Sequence, residues 1–413
     1  MKRNRQLAAR VPVSDHALAR QCLVVTGLLV LVALWLKVPS LFIPHDETDE
    51  RIYWQLAESL ASGRGYTLQG SALLSSLSPH IYDRPLFHHP PLFAALLVPF
   101  VRGESRSAAM IVPWFGHVLS MLAVALIGWT TALRGSSART ALSPGFWLPL
   151  LAMAADPLLG FTASRLWIDS LLTGLTAMAF AALVMALSGG RRAPWLLAAG
   201  GFLGLAALTK LTALLVLPVF LAALLFCDRP TWRRRCTSIL WFGLPVLLLV
   251  APWLVLFKLR CDVFLPNWVA PDLWLREHSP FVKAALDRPF YYYAVKLPLL
   301  LPIALVAAWA LRRWRDWRTK PTMMIAVGWC AAIVAALTAL SATGYGFQMR
   351  HVAPAVVPLY VVVMVGLLDG EHPVGLLMCG CALSVGTFTA GLHVLAQVDE
   401  VFSLAEISRL IGF

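Results

Sequence analysis

The stretch LVVTGLLVLVALWLKVPSLFIPHDETDE, from Leu23 to Glu50, decides the fold class. It begins with a long apolar run in which Lys37 is the only charged residue. A helix needs about 20 mostly apolar residues to cross the hydrocarbon core of a bilayer, and this run is long enough. Four acidic residues then follow within five positions: Asp46, Glu47, Asp49 and Glu50. The stretch predicts a membrane span that ends in a strongly acidic loop.

The same apolar character extends over the whole chain. Of its 413 residues, 59% are hydrophobic and 13% are charged, and the mean hydropathy is +0.74. Soluble domains carry about 25% charged residues, so this composition predicts an all-α polytopic membrane protein. The net charge of +13 comes from basic clusters between apolar runs, which is typical of cytoplasmic loops and not of a nucleic-acid partner. The seven cysteines show neither metal-ligand spacing nor a disulfide framework.

The apolar runs predict about eleven spans within one membrane domain, residues 22–395. The predicted spans lie near residues 22–43, 107–133, 143–162, 169–188, 195–209, 211–227, 237–257, 291–311, 322–342, 351–368 and 374–395. The fifth and sixth are short and flank Lys210, as two helices that meet at a break. Residues 1–21 are predicted to form a cytoplasmic segment and residues 396–413 a short periplasmic tail.

Basic residues predict which side of the membrane each loop faces. Lysines and arginines crowd the first 20 positions, and the positive-inside rule places them in the cytoplasm. The later basic clusters also fall on the cytoplasmic side only if the segment from Pro91 to Val101 does not cross the membrane. That segment is too short to span and is followed by Arg102, so it is predicted to lie at the outer surface. The short cytoplasmic loops and compact size predict an integral protein of a bacterial inner membrane, working on its periplasmic side.

Two outer loops are long, residues 44–106 and 258–290, and function concentrates on such loops. In the first, Thr48 is predicted to cap a surface helix with an apolar stripe, with Trp54 near the membrane interface. A structural interpretation of the acids is that Asp49 and Glu50 complement the positive end of this helix. On the same interpretation, Asp46 and Glu47 are solvated turn residues.

Several motifs, in this order along the chain, carry a resemblance to a known family. DERIYWQLAESLASGRGY is similar to a D-E-x-x-Y segment, HHPPLFAAL to an H-P-P-L segment, and SRLWIDSLLT to an R…D-x-L-T segment. GFLGLAALTKLTALLVLP resembles a G-x-x-x-G-L-A-x-L-T-K segment, and MRHVAPAVVPLYVV an R-x-x-x-P-x-x-P segment. Together they resemble the C-type membrane glycosyltransferases of the dolichyl-phosphate-mannose protein mannosyltransferase and lipid A aminoarabinose transferase kinds. The resemblance extends to about residue 368.

The resemblance implies transfer of a sugar from a polyprenyl-phosphate donor to an acceptor at the outer face, with inversion at the anomeric carbon. It implies that Asp49 is the general base, with Glu50 of the same D-E pair also in the catalytic group, and Asp46 is a competing alignment. Asp169 is implied to support the base or shape the acceptor site. The alternative for Asp169 is a structural salt bridge with its neighbour Arg165. The acceptor is an envelope glycan, a glycolipid or a protein.

The departing phosphate requires positive charge, for which the candidates are Lys210, Arg350 and Arg84. An ionisable group at membrane depth is costly and usually functional, although Lys210 could also extend to the outer interface. Arg350 could hold phosphate oxygens bidentately, or be an interfacial anchor.

The remaining substrate-binding candidates are His88, His89, Arg165, Tyr53 and Tyr345. Adjacent histidines point to opposite sides of most backbones, so no metal or other cofactor is predicted from this pair. Some relatives with pyrophosphate donors hold a divalent ion on acidic outer-loop residues, which leaves Asp49 and Asp169 as alternative ligands.

Two other functions fit parts of the sequence. Transporters and flippases of lipid-linked substrates combine broken helices with buried charge, as at Lys210, but they usually show inverted repeats, and none is visible here. A non-catalytic assembly factor that keeps this fold would tolerate the loss of Asp49.

Overall fold

The computed structural model describes residues 15–76, 83–134, 143–189, 192–227, 231–264, 302–313, 320–342, 349–369 and 372–401, and within these ranges all regular structure is helical. The α-helices are α1 Asp15–Trp35, α2 Thr48–Ala61, α3 Leu92–Arg102, α4 Arg106–Ala109, α5 Ile111–Arg134, α6 Pro144–Ala154, α7 Pro157–Ala163, α8 Ile168–Leu187, α9 Arg192–Thr209, α10 Leu217–Ala222, α11 Trp232–Cys261, α12 Pro302–Arg313, α13 Pro321–Ala342, α14 Ala353–Asp369 and α15 Pro373–Val401. Short 3₁₀ turns lie at Val38–Leu41, Ala72–Ser76, Leu211–Val216 and Met349–Val352, and a π turn lies at Ala223–Cys227.

Among the described residues, seven helices are long and apolar enough to cross a membrane, and the bent pair α6 and α7 makes an eighth. These eight correspond to eight of the predicted spans, which confirms the all-α polytopic fold. The predicted span 211–227 is a succession of 3₁₀, α and π turns after Lys210. The predicted span 291–311 is described only from residue 302, and 374–395 lies within α15.

Small residues allow the central helices to approach closely. Helix α8, buried along most of its length, packs between α5 and α9, and α9 packs against α11. A Cβ atom added to Gly174 of α8 would lie 2.1 Å from the Gly116 carbonyl oxygen of α5, and one added to Gly200 of α9 would lie 2.0 Å from the Phe242 carbonyl oxygen of α11. Within a bilayer the hydrophobic effect does not drive helices together, so close packing at such contacts holds them together instead.

Helix α2 begins one residue away from the predicted position. The N-cap is Glu47 and not Thr48, because a capping box forms in which the Glu50 side chain accepts from the Glu47 N–H. The apolar side of α2, including Tyr53 and Leu56, packs against α3. Trp54 is buried beneath the guanidinium of Arg106, 5.4 Å from the ring centroid.

One end of the bundle collects the segments between helices that carry the candidate residues, and we call it the site end. It is formed by the C-terminal ends of α1, α7 and α9 and the N-terminal ends of α5, α8 and α14, which ion pairs and hydrogen bonds join. The basic residues Arg134, Arg192, Arg233 to Arg235, Arg312 and Arg313 lie at the opposite ends of their helices. The predicted second long loop, 258–290, lies outside the described residues after residue 264.

Candidate active site

Four charged side chains from distant parts of the sequence form a continuous series of ion pairs, which we call the ionic chain. Arg350 Nη2 donates to Asp49 Oδ2, although the two residues are 301 positions apart. Arg350 Nε lies 3.8 Å from Asp169 Oδ2, and Lys210 Nζ donates to Asp169 Oδ1 at 3.1 Å. The ionic chain therefore runs Asp49, Arg350, Asp169, Lys210.

The ionic chain is buried at one end and open at the other. The side chain of Asp169 is 2% exposed and those of Arg350 and Lys210 are 10% and 12% exposed, whereas that of Asp49 is 35% exposed. The Arg350 guanidinium also lies 4.3 Å from the centroid of the Trp167 ring, a cation–π contact that holds it in place. Asp49 is thus the most exposed member of the ionic chain.

The local backbone presents each member of the ionic chain at a helix boundary. Asp49 lies in the first turn of α2 and Asp169 in the first turn of α8, after an extended Trp167. Lys210 follows the last residue of α9 in an extended conformation, and Arg350 lies in the 3₁₀ turn before α14. Side chains at such boundaries can converge without breaking the backbone hydrogen bonds of the spans, which lipid could not replace.

Glu50, the other half of the D-E pair, points away from the ionic chain and is fully buried. Its Oε1 accepts from the Leu166 N–H at 2.9 Å and lies 2.9 Å from His45 Nδ1, and its Oε2 lies 3.7 Å from Arg165. Arg165 also pairs with Glu47 at 3.6 Å. The alternative interpretation of Asp169, a salt bridge with Arg165, is therefore not met, because Arg165 pairs with Glu47 and Glu50 instead.

Asp46 lies at the exposed rim of this region. Its side chain is 72% exposed and its Oδ1 lies 2.5 Å from Arg106 Nη1, which also donates to the His45 carbonyl oxygen at 2.7 Å. Arg106 thereby ties the acidic loop to the start of α4. Of the two competing aspartates, Asp49 contacts the buried cations and Asp46 contacts a surface arginine.

His88 and His89 lie beside the ionic chain, with ring centroids 4.3 Å apart. The expectation that neighbouring histidines diverge is wrong here, because the loop before α3 turns both rings to the same side. Burial and the positive charges of Arg84 and Lys210 lower the pKa of His88 to about 3. Burial and neighbouring cations also hold the pKa of His89 well below its usual range, so both rings are neutral at physiological pH.

Tyr53 completes this side of the site. Its ring stacks on that of His89 with a centroid distance of 6.4 Å. Burial raises the pKa of Tyr53 far above its ordinary value, with a further contribution from the Asp49 carboxylate, so the phenol remains neutral. The buried Nδ1 of His89 has no hydrogen-bond partner among the described residues. Neutral imidazole and phenol groups suit hydrogen bonding to sugar hydroxyls.

The remaining predictions have mixed outcomes. The Arg84 carbonyl oxygen accepts a hydrogen bond from Thr67 Oγ1 at 2.7 Å. The positive charge of the Arg84 guanidinium acts on His88, so Arg84 lies near the histidine pair. Tyr345 lies outside the described residues. Across the described ranges, no group of three or more His, Cys, Asp or Glu side chains is placed to hold a metal ion.

The structure also adds residues that the sequence did not single out. His45 contacts Glu50, Trp167 lies under Arg350, and His351 is close enough to Lys210 and Asp169 for their charges to act on it. Trp167 and His351 each lie within two positions of a predicted site residue. Their proximity in sequence was the available signal, but aromatic residues are common at span ends, so it was not specific.

A model of glycosyltransferase family 87 matches residues 87–343, which is more than half of the chain. The chain belongs to glycosyltransferase family 87. The matched range includes Asp169 and Lys210, whereas Asp49 and Arg350 flank it. No curated protein sequence matches the chain.

Two solved structures share the fold of this family 87 protein. ArnT from Cupriavidus metallidurans bound to undecaprenyl phosphate is 21% identical with a TM-score of 0.60, over 87% of this chain and 62% of that chain. Archaeal oligosaccharyltransferase AglB from Archaeoglobus fulgidus, in complex with an inhibitory peptide and a dolichol-phosphate, is 13% identical with a TM-score of 0.57, over 90% and 56%. The family 87 chain thus spans less than two thirds of either structure. These likenesses confirm the predicted C-type membrane glycosyltransferase fold.

Proposed function

We propose that the protein transfers a sugar from a polyprenyl-phosphate donor to an acceptor hydroxyl, with inversion of the anomeric carbon and Asp49 as general base. The observation that carries the proposal is the ionic chain. It places a partly exposed carboxylate in direct contact with a buried cation, at the site end of a family 87 fold. The polyprenyl phosphates bound to ArnT and AglB support a donor of this class.

The reaction needs two functions from the protein. The acceptor oxygen attacks the anomeric carbon while the bond from that carbon to the phosphate oxygen breaks, and the acceptor loses its proton. Polyprenyl phosphate leaves with one more negative charge than it carried in the donor. A base within hydrogen-bond reach of the hydroxyl and cations at the phosphate therefore both lower the barrier. Inversion with a phosphate leaving group needs no second carboxylate as an acid.

The four members of the ionic chain divide these functions. Asp49 takes the proton, because its side chain is more exposed than that of Asp169. Arg350 and Lys210 meet the developing phosphate charge. Asp169, which contacts both cations, keeps them side by side and compensates their charge before the donor arrives. The neutral side chains of His88, His89 and Tyr53 form hydrogen bonds with the sugar hydroxyls.

This scheme contains no metal, because Arg350 and Lys210 supply the positive charge that a divalent ion supplies elsewhere. Transfer that persists in excess chelator would support this part of the proposal. Transfer that stops in chelator and resumes with added Mg²⁺ or Mn²⁺ would replace it with metal binding by acidic residues such as Asp49 and Asp169.

We also place the site on the periplasmic side of a bacterial inner membrane, with a cytoplasmic N-terminus. The basic residues at the ends of the helices opposite the site support this orientation under the positive-inside rule. The acceptor is then an envelope glycan, glycolipid or protein. To test the orientation, a single cysteine would be placed at Arg64 or at Arg233 and treated with a membrane-impermeant reagent. The side from which each cysteine is labelled shows the side of the membrane on which it lies.

The decisive experiment is transfer by the purified protein in lipid vesicles, with radiolabelled polyprenyl-phosphate sugars as donors and an envelope extract as acceptor. We expect Asp49→Asn to lower transfer about 10²- to 10⁴-fold, the usual contribution of a general base. Asp46→Asn is the matched control and should keep its activity. Loss in Asp46→Asn alone would move the base to Asp46, and label crossing the bilayer without transfer in all three proteins would indicate a flippase.

A further inference from the structure

Adjacent acids in the first turn of α2 face different partners. Asp49 contacts Arg350 and is partly exposed, whereas Glu50 has no exposed surface and both of its carboxylate oxygens contact protein groups. A fully buried carboxylate must have its charge and lone pairs satisfied to be tolerated. The partners of Glu50 therefore show what it does.

The contacts of Glu50 join two separate segments. Within its own segment, Oε2 accepts from the Glu47 N–H at 3.2 Å and Oε1 lies 2.9 Å from His45 Nδ1. From the segment before α8, the Leu166 N–H donates to Oε1 at 2.9 Å and the Arg165 guanidinium lies 3.7 Å from Oε2. The Leu166 contact spans 116 positions of sequence.

His45 extends this connection back to the end of the first span. Its Nε2 lies 2.9 Å from the carbonyl oxygen of Ser40, which can only accept, so Nε2 carries a proton. The other ring nitrogen, Nδ1, faces the Glu50 carboxylate. Arg165 adds a long contact to the Pro44 carbonyl oxygen at 3.4 Å. The polypeptide from Ser40 to Glu50 is thus joined to Arg165 and Leu166, and the Glu50 carboxylate is the group that contacts both of these residues.

We propose that Glu50 is a positioning residue, which holds Asp49 at its working distance from Arg350 and Asp169 and does not itself touch substrate. Asp49 directly precedes Glu50, and Asp169 lies three positions after Leu166, so the connection at Glu50 sets the separation of the two aspartates. Glu50 was expected in the catalytic group and Arg165 in the substrate-binding group, and the proposal gives both a different role. It rests on the proposed glycosyl transfer with Asp49 as base.

The test compares Glu50→Gln with Glu58→Gln in the vesicle transfer assay. Glu58 lies on the same helix, contacts Gln55 and belongs to neither the ionic chain nor the Glu50 contacts, so its substitution is the matched control. A displacement of about 1 Å can cost about 10²-fold in rate. We therefore expect Glu50→Gln to lower kcat about 10- to 100-fold, with the KM for the donor and the binding of undecaprenyl phosphate within twofold of wild type.

A second variant covers the case in which Glu50→Gln does not fold. Arg165→Lys keeps the charge but loses the geometry of the guanidinium, and we expect a smaller fall in kcat, again with unchanged donor KM. Wild-type kcat in both folded variants would overturn the proposal, as would a loss of donor binding, because Glu50 would then contact substrate. If Asp49→Asn is fully active, the proposed base fails, which is a separate outcome from either of these.

Discussion

Two buried aspartates begin helices of the same bundle but have different partners. Asp156 is the N-cap of α7, where it accepts from the N–H groups of Leu158 and Leu159 at 3.0 and 2.9 Å and from the Tyr360 hydroxyl at 2.9 Å. Asp169, in the first turn of α8, contacts the cations Lys210 and Arg350. Asp156 is 3% exposed and Asp169 is 2% exposed, so burial does not distinguish the two aspartates.

The difference lies in the charge of the partners and in the path to the surface. The hydrogen-bond donors to Asp156 are neutral groups of the fold. The charge of nearby Lys37 acts on Asp156, but Lys37 donates its hydrogen bond to the Ala33 carbonyl oxygen. The cations that hold Asp169 connect it to the partly exposed Asp49 and can also bind an anion. Acids inside a membrane are usually taken as functional. Here Asp156 is explained by helix capping, whereas Asp169 contacts two cations, as the proposed site requires.

Substitution of Asp169 should have the largest effect. Asp169→Asn leaves Lys210 and Arg350 without their shared buried counter-charge, and breaking a buried pair costs about 3–5 kcal/mol. We expect a clear fall in the midpoint of thermal unfolding in detergent, and a fall in transfer of at least about 10²-fold, because the two cations that we propose bind the phosphate lose their placement. Wild-type activity in this variant would remove the ionic chain from the mechanism.

Asp156→Asn should affect stability without affecting catalysis. Loss of a charged cap and of a well-placed acceptor for Tyr360 costs about 1–3 kcal/mol. We expect a lower unfolding midpoint but a transfer rate, per folded molecule, within twofold of wild type. A low kcat in well-folded Asp156→Asn would show that the two aspartates are not different in kind.

A glycine substitution can disturb Asp169 through packing alone. An added Cβ at Gly174 would meet the Gly116 backbone, so Gly174→Ala should separate α8 from α5 and cost about 1–3 kcal/mol. Transfer should fall as well, because α8 carries Asp169. Gly201→Ala is the control, since nothing lies within 4 Å of its added Cβ, and it should be neutral or slightly stabilising. Equal unfolding midpoints for the two variants would contradict the close helix contact.

The smallest effect is expected at Tyr360. Tyr360→Phe removes one of the donors to Asp156 but leaves the two backbone N–H groups, so the cost should be about 0.5–1.5 kcal/mol with unchanged transfer. Unfolding of the single variants and of the double variant with Asp156→Asn measures their coupling. Strictly additive effects would mean that the hydroxyl does not stabilise the carboxylate.

The spans and the residue types of the site could be predicted from the sequence. A bilayer imposes a minimum apolar length and leaves no water to satisfy a broken backbone, so the spans stand out as apolar runs. The same constraint makes Asp169, Lys210 and Arg350 conspicuous, because charge at the end of a span is rare enough to notice. The start of α2 was misplaced by one residue, because Glu47 and Glu50 form a capping box that Thr48 does not join.

Only the tertiary structure decided which charge pairs with which. Arg165 is four positions from Asp169 but contacts Glu47 and Glu50, and Arg350 reaches Asp49 across 301 positions. The tertiary structure also separated Asp49, which belongs to the ionic chain, from Glu50, which accepts a hydrogen bond from the Leu166 N–H. The physical reason is that hydropathy and charge patterns are local along the chain. Ion-pair partners are set instead by how the helices pack, at contacts such as Gly116 with Gly174.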